Sequence, residues 1–160
     1  MKKDFFIFSI LFLILFLNSC SKTQEVRQTT QKSFPVIAEE DISKLNPEQI
    51  VILYFQAWND KKYDIMYSLI SDGFKQIDPT ANTFEKFKSS MEELFNVASG
   101  VRVIDVKEAS RDDKTAVVDF KIQIIGKDGS KQEISKTFTL KKRANGWKLI
   151  HPYGNNIDTT

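Results

Sequence analysis

Few side chains of this chain have the chemistry to act as a catalytic base or a ligand donor. His151 is its only histidine, and it alternates with Trp147 and Leu149 in the last strand-like segment. A histidine that lines a cavity could serve as a general base, whereas one at a strand end is more often a hydrogen-bonded edge residue. Lys136 is the second candidate, because it interrupts a row of apolar residues. A lysine there can also extend its alkyl stem to the rim, or a bulge can turn it outward.

Three aromatic side chains, Tyr54, Trp58 and Trp147, could line a pocket together with Lys136 and His151. Their helical and strand spacing is more often that of a simple core. The sequence contains no cluster of metal ligands, no glycine-rich phosphate loop and no serine or cysteine nucleophile arrangement. It therefore predicts no catalytic residue, no metal and no cofactor, and it favours a protein that is not an enzyme.

Cys20 is the only cysteine, and the segment before it has the three parts of an export signal. Lys2 and Lys3 give a basic start, the apolar run Phe5–Leu17 follows, and a small residue precedes the cysteine. A helix of that apolar length spans about 20 Å, less than the roughly 30 Å of a bilayer's hydrocarbon core. The run is therefore too short for an ordinary transmembrane helix.

The sequence LNSC at residues 17–20 resembles the lipobox of bacterial lipoproteins. The resemblance implies that residues 1–19 are a signal peptide, and that Cys20 is acylated by palmitate-type chains and becomes the first residue of the mature protein. An ordinary cleaved signal and an uncleaved membrane anchor are the alternatives. We therefore expect a protein that is exported and lipid-anchored in the bacterial cell envelope. Ser21 stands where an aspartate would retain some lipoproteins at the inner membrane, so the outer membrane is favoured in a bacterium with two membranes.

Residues 20–45 are predicted to carry the acylated cysteine and a flexible tether. Residues 21–33 contain one strongly apolar residue, Val26, which is too few to offset the entropy of ordering the segment. The apolar residues between positions 34 and 37 could instead pack against the folded domain.

The charge pattern does not indicate a nucleic-acid surface. The chain has 23 basic and 21 acidic residues, a formal net charge of +2, and the two signs are interleaved. Nucleic-acid binding would require basic residues gathered on one face. The predicted partners are the membrane, through the lipid on Cys20, and an envelope protein or a second copy of the chain. Val117, Ile125 and Ile150, predicted on the outer face of a sheet, could support such a homodimer.

Residues 46–153 are predicted to form one domain, followed by a C-terminal tail at residues 154–160. The first helix begins at Pro47, after the cap Asn46, and Gln49 completes a capping box.

A second helix is predicted at about residues 63–71, and a short fifth strand is an option at Phe74–Ile77. A third helix follows the cap Thr83, and Gly100 is expected to close it.

From Val101 onward the apolar residues alternate with a period of two, which indicates strands. Hairpin turns are predicted at residues 127–129 and at Asn145-Gly146. This order predicts an α+β fold in which three N-terminal helices pack on a curved, four-stranded or five-stranded antiparallel sheet. The long central strand carries one apolar row: Ala116, Val118, Phe120, Ile122 and Ile124.

Three segments of the chain resemble the nuclear transport factor 2-like fold. They are the opening PEQIVILYFQAWNDKKYDIMYSLIS, the strand pair around GKDGS, and the closing NGWKLI. The resemblance, closest to small bacterial lipoproteins of that superfamily, implies a sheet wrapped around the helices as a cone, often with a cavity at the open end. The superfamily includes isomerases, dehydratases, ligand binders and dimerisation modules, so the fold alone does not select an activity.

These observations favour a non-catalytic, membrane-anchored envelope module that binds a protein partner. A binder of a small, largely apolar ligand in the cone is the alternative. An isomerase- or dehydratase-like enzyme that uses His151 or a carboxylate is the third hypothesis.

Overall fold

The computed structural model describes residue 34, residues 36–37 and residues 39–150. Cys20 and the signal segment lie outside the described residues, as does His151 with the C-terminal tail. The described part contains a short 3-10 helix, four α-helices and a four-stranded antiparallel sheet. The predicted α+β fold, with helices first and strands second, is confirmed.

The helices are α1, α2, α3 and α4, and they follow the 3-10 helix at Glu39–Lys44. Their bounds are Pro47–Asn59, Tyr63–Leu69, Asp72–Ile77 and Phe84–Leu94. The strands β1 to β4 are Ala98–Arg111, Thr115–Gly126, Lys131–Arg143 and Gly146–Leu149. The strands pair antiparallel in the order β1-β2-β3-β4.

Helix α1 begins as the sequence predicts. The side chain of Asn46 accepts a hydrogen bond from Gln49 N at 2.9 Å, and Gln49 Oε1 accepts one from Asn46 N at 2.9 Å. Pro47 occupies the first turn, where its missing N–H is not needed. Both donors at the helix start are therefore satisfied locally, and the capping box is confirmed.

The predicted short strand at Phe74–Ile77 is wrong, because these residues belong to α3. Ser71 Oγ accepts a hydrogen bond from Phe74 N at 3.0 Å, so this serine caps a new helix directly after α2. The described part of the domain therefore has four α-helices where three were predicted. The described sheet has four strands, and Ile70 adds only an isolated parallel bridge to Leu149 at the edge of β4.

Gly100 does not close a helix, as the sequence pattern suggested. Helix α4 ends at Leu94, and Gly100 lies inside β1. A Cβ atom at Gly100 would lie 2.8 Å from Asn59 Oδ1, closer than such atoms approach. The glycine is therefore needed for the close approach of β1 to the end of α1.

The sheet is curved by irregular pairing along β1. Its register against β2 shifts at three places, between residues 98 and 100, 103 and 105, and 108 and 110. Each bulge bends the strand and increases its twist. The curved sheet packs the apolar row of β2 toward the helices, so Ala116, Val118, Phe120 and Ile122 are buried, as predicted.

The packed domain begins before the predicted boundary at residue 46. Ile37 is buried with 8% of its surface exposed and belongs to the core, and Leu45 packs against that core. The 3-10 helix at Glu39–Lys44 contacts β4, where a Cβ at Gly146 would lie 2.9 Å from Ser43 Cα. Ile37 and Leu45 therefore pack with the domain, as the alternative of a packed lead-in describes for Ile37.

Two side chains attach α1 to the outer edge of β1. Near the start of the helix, Glu48 Oε1 accepts a hydrogen bond from Glu108 N at 2.7 Å. At the last residue of the helix, Asn59 Oδ1 accepts one from Val101 N at 3.2 Å. Because β1 is an edge strand, these N–H groups have no neighbouring strand to bond. The helix thus supplies acceptors at both ends of the exposed strand.

We expect Asn59→Ala to lower the free energy of unfolding by about 1–2 kcal/mol, because Val101 N loses its acceptor. Asn59→Asp keeps an oxygen at this position and should be closer to the native protein. Urea denaturation measures the difference. Asn96→Ala removes an exposed asparagine and is the control, with an expected change within about 0.5 kcal/mol. Equal stabilities of Asn59→Ala and Asn96→Ala would show that the edge contact is not stabilising.

Candidate functional site

A recess of about 570 Å³ lies beside α1. Its walls come from α1, from the first residues of β1 and from the segment at residues 34–37. The apolar lining residues are Phe34, Val36, Ile37, Leu53, Phe55, Ala57, Val101 and Val103. The polar ones are Gln56, Asn59, Asp60, Lys62 and Arg102.

The polar residues gather where α1 ends. After Asn59 the chain turns through Lys61, whose φ of 58° is in the left-handed region. The Lys62 N–H then donates to Ala57 O at 2.8 Å and closes the turn. This turn brings Asp60 and Lys62 to the lining of the recess, to which Arg102 on β1 also belongs. The recess therefore combines charged and apolar lining residues.

The segment at residues 34–37 forms the outer wall. Ile37 N donates a hydrogen bond to Gln56 Oε1 on α1 at 3.1 Å, which holds this segment against the helix. The Ile37 side chain is buried, whereas Val36 has 91% of its surface exposed. This wall is therefore held by the Ile37 hydrogen bond and by the packing of Phe34 and Ile37 against the core, while Val36 faces solvent.

Two of the predicted pocket residues lie on α1 but face an aromatic cluster. The Tyr54 ring meets Phe55 and Phe138 edge-on, with centroids 5.8 and 6.0 Å apart. The Trp58 ring lies 6.2 Å from Phe95, and its buried indole N–H has no hydrogen-bond partner among the described residues. The residues that line the recess do not include Tyr54 or Trp58.

Three phenylalanine rings occupy the space between α1 and the central strands. Phe120 on β2 and Phe138 on β3 have centroids 4.4 Å apart. Phe55 on α1 lies 5.0 Å from Phe120 and stacks on Phe138 at 5.8 Å. Such contacts are within the favourable range for aromatic pairs. This part of the cone interior is therefore filled by side chains.

The other predicted pocket residues are dispersed. Lys136 pairs with Phe120 across β3 and β2, so it belongs to the inner row of the sheet, yet its side chain is exposed. Trp147 is buried in the core, with Lys142 Nζ 5.9 Å from its ring. His151 lies outside the described residues. The structure does not bring Lys136 or Trp147 to the recess.

A buried lysine was missed at the sequence level. Lys148 on β4 has 9% of its surface exposed, and its Nζ donates a hydrogen bond to Ser68 O at 2.7 Å, near the end of α2. Burial lowers the pKa of Lys148 below its ordinary value, and the positive charge of Lys75 lowers it further. A cation at a helix C-terminus is a favourable placement, so Lys148 ties β4 to α2.

Ile150 does not belong to an exposed apolar patch on the outer face of the sheet, as was predicted for it with Val117 and Ile125. Ile150 has no exposed surface, because the face of β4 that carries Lys148 and Ile150 is covered. Val117 and Ile125 remain half-buried on β2. The apolar residue at 150, two positions after Lys148, was the signal that this face of β4 is buried as well.

In the part of the chain that the structure describes, no three histidine, cysteine, aspartate or glutamate side chains lie together as a metal site would require. Within the same residues, no helix has the length and apolar character needed to cross a membrane.

Comparison with known families adds the decisive observation. The model of the SnoaL-like domain matches residues 48–153, which is most of the packed region. This chain belongs to the SnoaL-like domain family. Membership establishes the kind of domain and does not assign it an activity. No curated protein matches the chain.

Solved structures show the same fold at low sequence identity. A SEC-C motif-containing protein from Psychrobacter arcticus is 16% identical, with a TM-score of 0.51 over 74% of this chain and 64% of that chain. A SEC-C motif-containing protein from Rhodopseudomonas palustris is 13% identical, with a TM-score of 0.50 over 64% of this chain and 73% of that chain. These likenesses show the fold of the SnoaL-like domain and nothing of its activity.

We expect the stability of the SnoaL-like domain to fall above about pH 10, because burial raises the pKa of Tyr54 well above its ordinary value of 10.0. The pKa of Tyr54 is raised in the folded state. The stability that protonated Tyr54 contributes is therefore complete below pH 10 and is lost as the pH rises. The loss per raised tyrosine is at most about 1.4 kcal/mol per pH unit.

Tyr54→Phe should weaken this decline, and urea denaturation at a series of alkaline pH values measures it. Burial also raises the pKa of Tyr63 and Tyr67, so part of the decline should persist. An unchanged pH dependence in Tyr54→Phe would contradict the assignment.

Proposed function

We propose that the protein is a lipid-anchored lipoprotein of the bacterial cell envelope, and that its SnoaL-like domain is a non-catalytic binding module. The observation that carries the second part is the packing of Phe55, Phe120 and Phe138 between α1 and the sheet. These rings occupy the interior in which a cone-shaped enzyme would hold a substrate. We therefore assign binding to the recess on the β1 side of α1.

The composition of the recess supports binding rather than catalysis. Its titratable side chains are Asp60, Lys62 and Arg102, all on exposed residues. Catalytic acids and bases usually lie in buried or enclosed surroundings. An open recess lined by both apolar and charged residues is instead suited to holding a partner.

The anchoring part rests on the sequence LNSC at residues 17–20 and the apolar run before it. Two or three acyl chains on Cys20 would hold the protein in a bilayer almost permanently, whereas one chain gives marginal binding. Within this proposal, the outer membrane is the favoured location in a bacterium with two membranes. An envelope protein or a second copy of the chain remains a predicted partner.

We expect metabolic labelling with palmitate to mark the native protein and to leave Cys20→Ala unlabelled. Cys20→Ala should also lose membrane association, because no other acyl site is predicted. Cys20→Ser is a second variant with the same steric size and the same expected loss of label. Equal labelling of the native protein and both variants would reject the lipid anchor.

We expect Phe120→Ala to lower the free energy of unfolding by about 3–5 kcal/mol, because truncation leaves a cavity inside the ring cluster. A phenylalanine that lined an empty substrate cavity would cost much less. Phe84→Ala is the matched control, because Phe84 is only partly buried and contacts Tyr67 at 5.6 Å on the other side of the helices. If both variants lost equally little stability, the interior would not be filled as described.

A further inference from the structure

Helix α4 and the residues that flank it are packed thinly on the domain. Within residues 82–97, all of which the structure describes, Phe87 alone is buried, with 3% of its surface exposed. Its ring reaches Tyr67 on α2, with centroids 5.4 Å apart. Phe84 and Met91 also pack against the core but stay partly exposed. A segment with so few buried apolar contacts opens at a lower free energy than the core of a domain.

The two ends of this segment are fixed. Ala81, before the helix, has no exposed surface, and Ala98, at the start of β1, has 6% of its surface exposed. The turn before the helix is closed by Asp78, whose Oδ1 accepts a hydrogen bond from Thr80 N at 2.8 Å. Asp78 O accepts another from Ala81 N at 3.0 Å. Residues 82–97 therefore lie between two anchored points and can move as a unit without disrupting either.

Phe95, directly after α4, lies against Trp58 on α1. The two rings meet edge-on with centroids 6.2 Å apart, and Phe95 also meets Tyr63 at 6.5 Å. The indole N–H of Trp58 is buried and has no hydrogen-bond partner among the described residues. A buried donor without a partner costs free energy that contact with water would recover. The closed arrangement around Trp58 therefore carries a penalty that opening would relieve.

We propose that residues 82–97 form a movable cover on Trp58. The cover opens between its two anchored ends while α1 and the sheet stay folded. In the open state Phe95 leaves the Trp58 ring, and the indole N–H becomes an accessible donor. Access to this donor is then set by the equilibrium between the closed and open positions. The cover depends neither on the lipid anchor nor on binding in the recess.

Hydrogen exchange of the full-length chain in a mild detergent tests the cover, with amide exchange measured by mass spectrometry of peptides. We expect peptides of α4 to exchange at least tenfold faster than peptides of α1, because only the cover has to open. Val118→Ala is the deciding variant, since Val118 on β2 has no exposed surface and lies outside the cover. It should speed exchange in α1 about tenfold, by lowering the stability of the whole domain, and leave exchange in α4 unchanged.

A second pair of variants tests the cover from within. Phe87→Ala should speed exchange in α4 at least tenfold, because it removes the one buried side chain of the cover. Met91→Ala should speed it less, because Met91 is only partly buried. The indole N–H signal of Trp58, assigned by its loss in Trp58→Phe, reports opening at the indole itself by NMR. Its exchange should accelerate in Phe87→Ala and stay unchanged in Val118→Ala.

Two results would overturn the proposal. Equal acceleration of α1 and α4 exchange in Val118→Ala would show that α4 opens only when the whole domain unfolds. Unchanged exchange of the Trp58 indole proton in Phe87→Ala would show that α4 does not control access to it. If Phe87→Ala did not fold, Met91→Ala provides the same comparison with a smaller expected acceleration.

Discussion

The attachment of α1 along the edge strand β1 is the contact on which the rest of the domain depends. Glu48 and Asn59 hold backbone N–H groups of β1 at the two ends of the helix. Strand β1 is bulged at three places along its pairing with β2, and each bulge bends the strand. The two side chains hold this bent strand from the helix side. Gly100 is the local requirement, because a side chain there would displace Asn59.

The same attachment decides which spaces are filled and which stay open. Once α1 lies along β1, one face of the helix places Phe55 against Phe120 and Phe138, and these rings close the interior toward the central strands. On the β1 side, Leu53 and Ala57 line the recess together with the valines of β1 and the segment at residues 34–37. Phe55 borders both the ring cluster and the recess, so the open volume lies beside β1.

Patterns among neighbouring residues predicted most of the helices and strands. The features that they did not predict depend on contacts between residues far apart in the sequence. The capping box at Asn46 and the alternating apolar row of β2 each involve residues close together in the sequence, so both were predicted correctly. Ser71 looked like the end of a helix, because nothing local shows that its hydroxyl caps Phe74 N and its backbone bonds Leu149 O. Gly100 was misassigned for the same reason, since its partner Asn59 is 41 positions away. The candidate site depends wholly on such contacts: its lining joins residues 34–37, α1 and β1, and periodicity cannot show that these segments meet.

The burial of Lys136 and Lys148 could not be predicted from the alternation of apolar residues. Lys136 interrupts an inward row and suggested a functional group in a cavity, yet it is exposed at the open face of the sheet. Lys148 sits in a strand that seemed to alternate ordinarily, yet it is buried and bonded to Ser68 O. Alternation assigns a residue to a face of the sheet but does not say whether a helix covers that face. Coverage is set by the curvature of the sheet and by the attachment of α1 to β1. A functional assignment for this fold therefore has to start from where the helices leave the sheet uncovered, and in this domain that place is the recess at the start of β1.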